Sequence, residues 1–308
     1  MDVTANYTLR WGLIHIGIDA TKQERLKADG SKESQFYAHY GVQAEVVTLQ
    51  WHDLCSDMNA AETIPPNERN ASGFKMFLVA HFYLWNKPRN AKVLASRFGI
   101  AESRAQGKSL WRWIERIASL KVLKIVWDEA LDDPDNEIFV VTLDGTDFKT
   151  REEAHDQFPV DTKMSSFKMK HAAWRYDIAV AVFRERIVFA SGPEKASLHD
   201  LNLFRKNGLK EKMLQIPGKM IIADSGYKTT EPDEVGIFSI PNVCDPDVLY
   251  NFKSRARLRQ EQVNSRLKDY AILRHAFDLG KDKHAACFYA VLVNVQYKID
   301  NGAHLYRV

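Results

Sequence analysis

The sequence predicts an α/β fold, a mixed sheet with flanking helices, preceded by an all-α N-terminal region. Three observations lead there. Up to about residue 120 the apolar residues recur at helical spacing. An acidic, Pro-broken stretch, Asp128 to Glu137 (DEALDDPDNE), then separates two textures. Beyond it, short buried runs ending in Asp, Gly and Ser alternate with helical segments. The 308 residues fit two domains at roughly 150 residues each. The boundary falls near Asp132, giving a helical region 1–130 and an α/β domain 131–308.

In chain order, Phe36 to Leu54 reads as helix, with Val42, Val46, Leu49 and Trp51 among its apolar positions. Pro65 and Pro66 break the pattern. Phe74 to Trp85 (FKMFLVAHFYLW) is strongly apolar yet too short for a bilayer, so it reads as a buried core helix ending before Pro88. Residues 90–120 have a helix–turn–helix layout: Leu94, Ala95 and Phe98 on one side, a turn at Gly99, then a helix from about Glu102. Leu110, Trp113, Ile114 and Ile117 form the apolar face of that second helix, while Ser103, Arg104, Gln106 and Lys108 are exposed near its start. A plain helical hairpin is the alternative. Trp111 and Trp113 read as core.

Ile138 to Leu143 (IFVVTL) reads as a buried strand ending in Asp144-Gly145-Thr146-Asp147. Trp174 to Phe183 and Arg186 to Ala190 form a hairpin with Arg184 and Glu185 at its tip. Leu198 to Asn207 is a short helix closed by Gly208. Lys219 to Ala223 is a second buried strand, running into Asp224. Two long helices follow, Arg255 to Phe277 and Asp282 to Asp300.

Composition excludes several classes. Mean hydropathy is −0.36 and no apolar run reaches the roughly 18 residues of a membrane span. The N-terminus lacks the basic-then-apolar layout of a secretory signal. Three cysteines, Cys55, Cys244 and Cys287, make no C-x-x-C, which excludes a disulfide framework and a Cys-rich zinc site.

The net charge of +3 is the near-cancellation of opposed blocks. Trp85 to Trp127 holds ten Lys and Arg against Glu102 and Glu115. Asp128 to Asp161 holds twelve Asp and Glu against Lys149 and Arg151. Asn251 to Phe277 holds seven Lys and Arg against Glu261 and Asp269. Basic stretches suit phosphate contact, and an acidic block concentrates divalent metal.

Asp144 and Asp224 each follow a buried strand, and adjacent strands would bring them together. Glu261 lies on the polar side of its helix, with Ser265 and Lys268, opposite Val263, Leu267 and Tyr270. Three carboxylates there form a hard, oxygen-rich pocket suited to Mg²⁺ or Mn²⁺. Two such ions would clamp the attacking and leaving oxygens of a phosphodiester.

Several blocks in order carry a family resemblance. They are L-D-G-T-D-F (Leu143 to Phe148), S-F-K-M-K (Ser166 to Lys170), Arg175-Tyr176-Asp177, and G-P-E-K-A-S-L-H-D (Gly192 to Asp200). I-A-D-S-G-Y (Ile222 to Tyr227) and R-A-R-L-R-Q-E-Q-V-N-S-R-L-K (Arg255 to Lys268) follow. Together they resemble the DDE transposases of the PIF/Harbinger superfamily, and Val293 to Gly302 is similar to a subgroup from protist and algal genomes. The likeness runs from about Phe36 to the C-terminus. Arg259 and Gln260 stand where that pattern has a His or a hydrophobic residue, and the stretch between Ser239 and Ser254 is short.

The resemblance implies an RNase H-like catalytic domain with Asp144, Asp224 and Glu261 as metal-binding triad. It implies double-stranded DNA, transposon ends and target, as substrate. It also implies a nuclear site of action and a separate Myb-like helper protein; self-association is a further expectation. Arg104 and Lys108 are candidate DNA contacts; Lys168, Lys170 and Lys268 either hold phosphates or are ordinary surface lysines. Asp147 reads as a turn cap, with support of the metal site or a place as an alternative ligand as its other reading; Asp200 reads as a helix cap and dipole partner, with a role in the site as its alternative. His171 and His284 read as structural or surface residues. Lys253 to Arg259 (KSRARLR) resembles a nuclear-localisation tract, which DNA binding explains equally. The functional alternative is a host-recruited DNA-binding protein that no longer cuts. A phosphatase loop is disfavoured because Thr142 occupies the place of its second Asp.

Overall fold

A computed structural model describes residues 2–18, 31–56, 62–130, 138–151 and 162–308. Most of the acidic linker, 131–137 with Asp132, and the acidic residues within 152–161 lie outside the described residues. The chain divides into two units: 1–123 with 269–273 and 286–301, and 124–268 with 274–285 and 302–308.

The first unit is helical. Its elements are α1 (Ala5–His15), α2 (Lys32–Tyr40), α3 (Ala44–Cys55), α4 (Ala71–Asn86), α5 (Ala91–Phe98), α6 (Glu102–Gln106), α7 (Lys108–Ser119) and α8 (Lys121–Lys124). The expected helix Phe36 to Leu54 is two helices. Gly41 ends α2 in the left-handed region, at φ 70°, and a Cβ there would collide with the Trp85 ring. Asn70 and Asn90 cap α4 and α5 by accepting from Gly73 N and Lys92 N, and Gly99 closes α5 at φ 58°. The helix expected from Glu102 is broken at Gly107, so Arg104 and Lys108 stand on separate helices, α6 and α7.

The core of this unit is aromatic. Trp51 stacks on Trp113 with ring centroids 5.8 Å apart and meets Phe74 edge-on at 5.0 Å. Trp111 and Trp113 are both buried. Helix α13 (Lys281–Asp300) contributes its later residues here: Gln50 Nε2 donates to Asn294 Oδ1 at 2.8 Å, and Tyr297 OH to Asp53 Oδ2 at 2.5 Å.

The second unit is built on a mixed sheet. Strands β1 (Phe139–Lys149), β2 (Ser165–Ser166), β3 (His171–Ala181), β4 (Ile187–Lys195), β5 (Met220–Ile222) and β6 (Phe238–Ser239) join in the order β2-β3-β1-β5-β6, with β4 also paired to β3. Strand β1 is antiparallel to β3 and parallel to β5. Helices α9 (Asp200–Lys206), α10 (Leu209–Leu214) and α11 (Asp247–Lys268) flank it; α12 (Ala271–Arg274), next in the chain, belongs to the first unit up to Leu273. Val141, Leu143, Ala179, Phe204, Leu209, Ile221 and Tyr227 share one buried apolar cluster. This is the expected α/β domain of RNase H-like type after a helical region.

Two expectations need correction. Strand β1 does not end at Leu143; pairing with β3 continues from Asp144↔Ile178 to Lys149↔Ala173, so Asp144 and Asp147 lie within the strand. Helix α11 starts at Asp247 rather than Arg255 and stops at Lys268 rather than Phe277.

Candidate active site

The parallel register of β1 and β5 sets the first two acids. Thr142 pairs with Ile222, the last residue of β5, and Asp144 and Asp224 each lie two residues further along. Parallel strands rise by about 3.3 Å per residue, so both aspartates stand at the same level. Asp224 then turns the chain: its Oδ1 accepts from Gly226 N at 2.8 Å and caps the short 3₁₀ turn Ser225–Tyr227.

Helix α11 supplies the third acid. Side chains alternate along a strand, so Thr142 and Asp144 face the same way. Thr142 Oγ1 donates to Gln260 Oε1 at 2.8 Å, and Asn264 Nδ2 donates to Asp144 Oδ2 at 2.6 Å. Glu261 sits between these two attachment points. Arg259, buried, locks the same helix from behind by donating to the carbonyls of Val182, Ala181 and Arg184, at 2.5, 3.1 and 3.2 Å, and of Tyr306 at 2.7 Å. Arg259 and Gln260 are therefore the residues that fasten the Glu261 helix to the sheet.

Asp144, Asp224 and Glu261 line one pocket of about 130 Å³, together with Lys168 and Arg257. A neighbouring cavity of about 460 Å³ is lined by Asp144, Asp147, Lys168, Glu261, Asn264 and Lys268 among others. Burial, with the like charges of Asp224 and Asp200, pushes the Asp144 carboxyl up to about 6 against the pull of Lys168. Three carboxylates on one pocket fit the donor chemistry of a hard divalent cation, with Lys168 and Arg257 beside them. Among the described residues no three His, Cys, Asp or Glu side chains converge tightly enough to cage an ion. Glu261 is exposed, so its carboxylate has rotamer freedom to move toward the two aspartates.

The readings of Asp147 and Asp200 as simple caps are corrected. Asp147 is buried in β1 and forms a two-pronged ion pair with its cross-strand partner Arg175, Nε to Oδ1 at 2.7 Å and Nη2 to Oδ2 at 3.0 Å. It also accepts from Ser166 Oγ at 2.5 Å. The cap of α9 is His199, whose ring nitrogen accepts from Leu201 N, and Asp200 is the first helical residue. Asp177 is fully buried; Tyr227 OH donates to its Oδ1 at 3.2 Å and its Oδ2 has no partner. Burial, with Asp200 and Asp144 nearby, pushes its carboxyl well up. Asp177, Arg257 and Asn264 stand in the motifs of the sequence without a role assigned to them there. The signal was present in the R-Y-D block and in the helical spacing of Arg257, Glu261 and Asn264.

The proposed DNA contacts divide. Lys168 and Lys268 line the acid-bearing cavities. Lys170 does not line them; it adopts φ 50° and places Nζ 4.0 Å from the Phe167 ring centre. Arg104 and Lys108 are exposed in the first unit, Arg104 donating to Ser72 Oγ at 3.4 Å. Not every base of that stretch faces solvent: Arg116 is buried, ion-paired to Glu68 at 2.6 Å and laid over Trp113. Of the histidines, His284 is buried and hydrogen-bonded to Tyr176 OH at 2.7 Å, and His171 is exposed. In the KSRARLR tract, which lies within helix α11, Lys253 and Arg259 are buried, Arg257 is half-buried and Arg255 is exposed.

Residues 143–294 match the family model of the DDE superfamily endonuclease. The match spans Asp144, Asp224 and Glu261. Neither the curated proteins nor the solved structures yield a match. Among the described residues no helix is long and apolar enough to cross a membrane.

Proposed function

We propose that this chain, whose residues 143–294 are a DDE superfamily endonuclease domain, is a transposase with Asp144, Asp224 and Glu261 as its metal-binding triad. One observation carries the reading: three carboxylates from β1, the end of β5 and α11 wall a single pocket, with Lys168 beside them. Mg²⁺ or Mn²⁺, two ions in the full site, would supply Lewis-acid stabilisation of the attacking and leaving oxygens.

The chain's own residues do the rest. Asn264 orients Asp144 through its hydrogen bond. The ammonium groups of Lys168 and Lys268 fit the phosphate oxygens flanking the scissile bond, while Lys170 would contact the backbone further out. Water would attack the scissile phosphodiester at a transposon end, breaking the bond to the 3′ oxygen and leaving a 5′ phosphate; the freed 3′ hydroxyl would then attack a target phosphodiester and displace that strand's own 3′ oxygen. Exposed Arg104 and Lys108 belong to a helix–turn–helix-type DNA contact in the first unit. Membership of the PIF/Harbinger group, protist and algal type, belongs to the same reading. So do a nuclear site of action, self-association and a Myb-like helper, all resting on the sequence resemblance.

The test is a search for inverted repeats flanking the gene, followed by a cleavage assay on DNA bearing them. The expected result is nicking at the repeat ends that requires Mg²⁺ or Mn²⁺. Tight binding of the repeats with no nicking in either metal would instead identify a transposase-derived DNA-binding protein.

A further inference from the structure

Asp200 packs on two glycines, the one that follows Asp144 and the one whose amide donates to Asp224. Because His199 takes the capping role in α9, the Asp200 carboxylate is free to point elsewhere. Its Oδ1 accepts from Arg175 Nη1 at 3.1 Å. The same oxygen packs so closely on Gly145 that any Cβ there would collide with it. Its Oδ2 packs on Gly226, where a Cβ would lie 3.0 Å away. Neither glycine has a positive φ, so what each position demands is space rather than backbone freedom. Gly145 directly follows Asp144, and the Gly226 amide holds Asp224 at 2.8 Å.

The carboxylate is clamped from behind. Arg175 spends Nε and Nη2 on Asp147, and its Nη1 also donates to Leu198 O at 2.7 Å. Asp147 is pinned by Ser166. A buried guanidinium with its fork filled has little freedom to follow a moving partner.

We propose that Asp200 is a positioning residue: clamped by Arg175, it wedges between Gly145 and Gly226 and sets the spacing at which Asp144 and Asp224 face a divalent cation. This rests on the nuclease reading above. Residues that support ligands without touching the ion typically change metal affinity or activity about 10- to 100-fold when removed.

The test is Mn²⁺ binding by calorimetry on the full chain, with thermal unfolding measured alongside. Asp200→Ala removes the wedge, and Gly145→Ala displaces it while keeping every charge. Both are expected to weaken Mn²⁺ binding by about 10- to 100-fold. The double variant is expected to be no weaker than the singles, because both act through one contact. Asp200→Asn keeps the shape and one acceptor for Arg175, and is expected to stay nearest to wild type. Should Asp200→Ala fail to fold, Gly145→Ala and Asp200→Asn carry the comparison. Wild-type Mn²⁺ affinity in folded Asp200→Ala or Gly145→Ala, even with a lowered melting temperature, overturns the positioning role and leaves the nuclease reading intact. Failure of the wild-type chain to bind Mn²⁺ overturns the nuclease reading, and the positioning role with it.

Discussion

Asn264 donates to Asp144 at 2.6 Å, tying the helix that carries Glu261 to the strand that carries the first aspartate. Thr142 and Gln260 form the preceding rung at 2.8 Å. Two strand residues advance about 6.6 Å and four helical residues about 6 Å, so strand and helix stay in step over this interval. Removing the second rung should loosen the site without unfolding the unit. Asn264→Ala is expected to slow metal-dependent nicking about 10- to 100-fold while the melting temperature moves by only a few degrees. Nicking at the wild-type rate would show that the rung does not orient Asp144.

Glu234 makes a prediction for the acid stability of the second unit. Arg205 and Lys210, with Thr229, hold its carboxyl down at about 2, and its side chain is fully buried. A depressed carboxyl pKa stabilises the fold above the unfolded value and loses that contribution as pH falls toward the folded value. The loss should therefore fall between about pH 4.5 and 2. Glu234→Gln is expected to cost about 2–3 kcal/mol at neutral pH and to flatten the acid-unfolding curve in that window, followed by circular dichroism.

His81 makes a prediction of the same sign for the first unit, at higher pH and from a different cause. It is fully buried, and both ring nitrogens are without hydrogen-bond partners. Burial lowers its pKa to about 3, so the folded state keeps it neutral while the unfolded state takes up a proton below about 6.5. Stability should fall as pH drops from 6.5 toward 3, by about 1.4 kcal/mol per pH unit at most. His81→Leu should abolish this slope and be neutral or stabilising at pH 7, since no buried donor is then left unsatisfied. An unchanged slope in urea titrations across this range would refute the assignment.

The DNA-contact assignment in the first unit is tested by Arg104→Ala with Lys108→Ala. Each lost phosphate contact should lower the slope of log affinity against log salt by about 0.9. The pair should therefore lower it by roughly 1.8 and weaken binding at low salt. Unchanged affinity for duplex DNA would remove the helix–turn–helix claim.

Much of this site was legible in the sequence because its acids sit in locally readable surroundings. Asp144 and Asp224 follow apolar runs that can only be buried strands, and Glu261 lies on the polar side of a helix whose apolar side holds Val263 and Leu267. What escaped depends on partners distant in the chain. The continuation of β1 through D-G-T-D is imposed by pairing with β3, against the turn preference of Asp and Gly. Asp147 looked like a turn residue because its ion partner Arg175 is 28 positions away, and Asp200 looked like a cap because its neighbours Gly145 and Gly226 are remote in sequence. The division of Phe36 to Leu54 at Gly41 likewise needs the Trp85 ring to explain it.

The central claim is that Asp144, Asp224 and Glu261 together hold the metal that cuts DNA. Its most direct test is nicking of a terminal-repeat DNA in Mg²⁺ and in Mn²⁺ by Asp144→Ala, Asp224→Ala and Glu261→Ala, with DNA affinity measured on the same preparations. The expected result is loss of nicking in all three variants, with DNA binding retained. Full cutting by Glu261→Ala would contradict the triad.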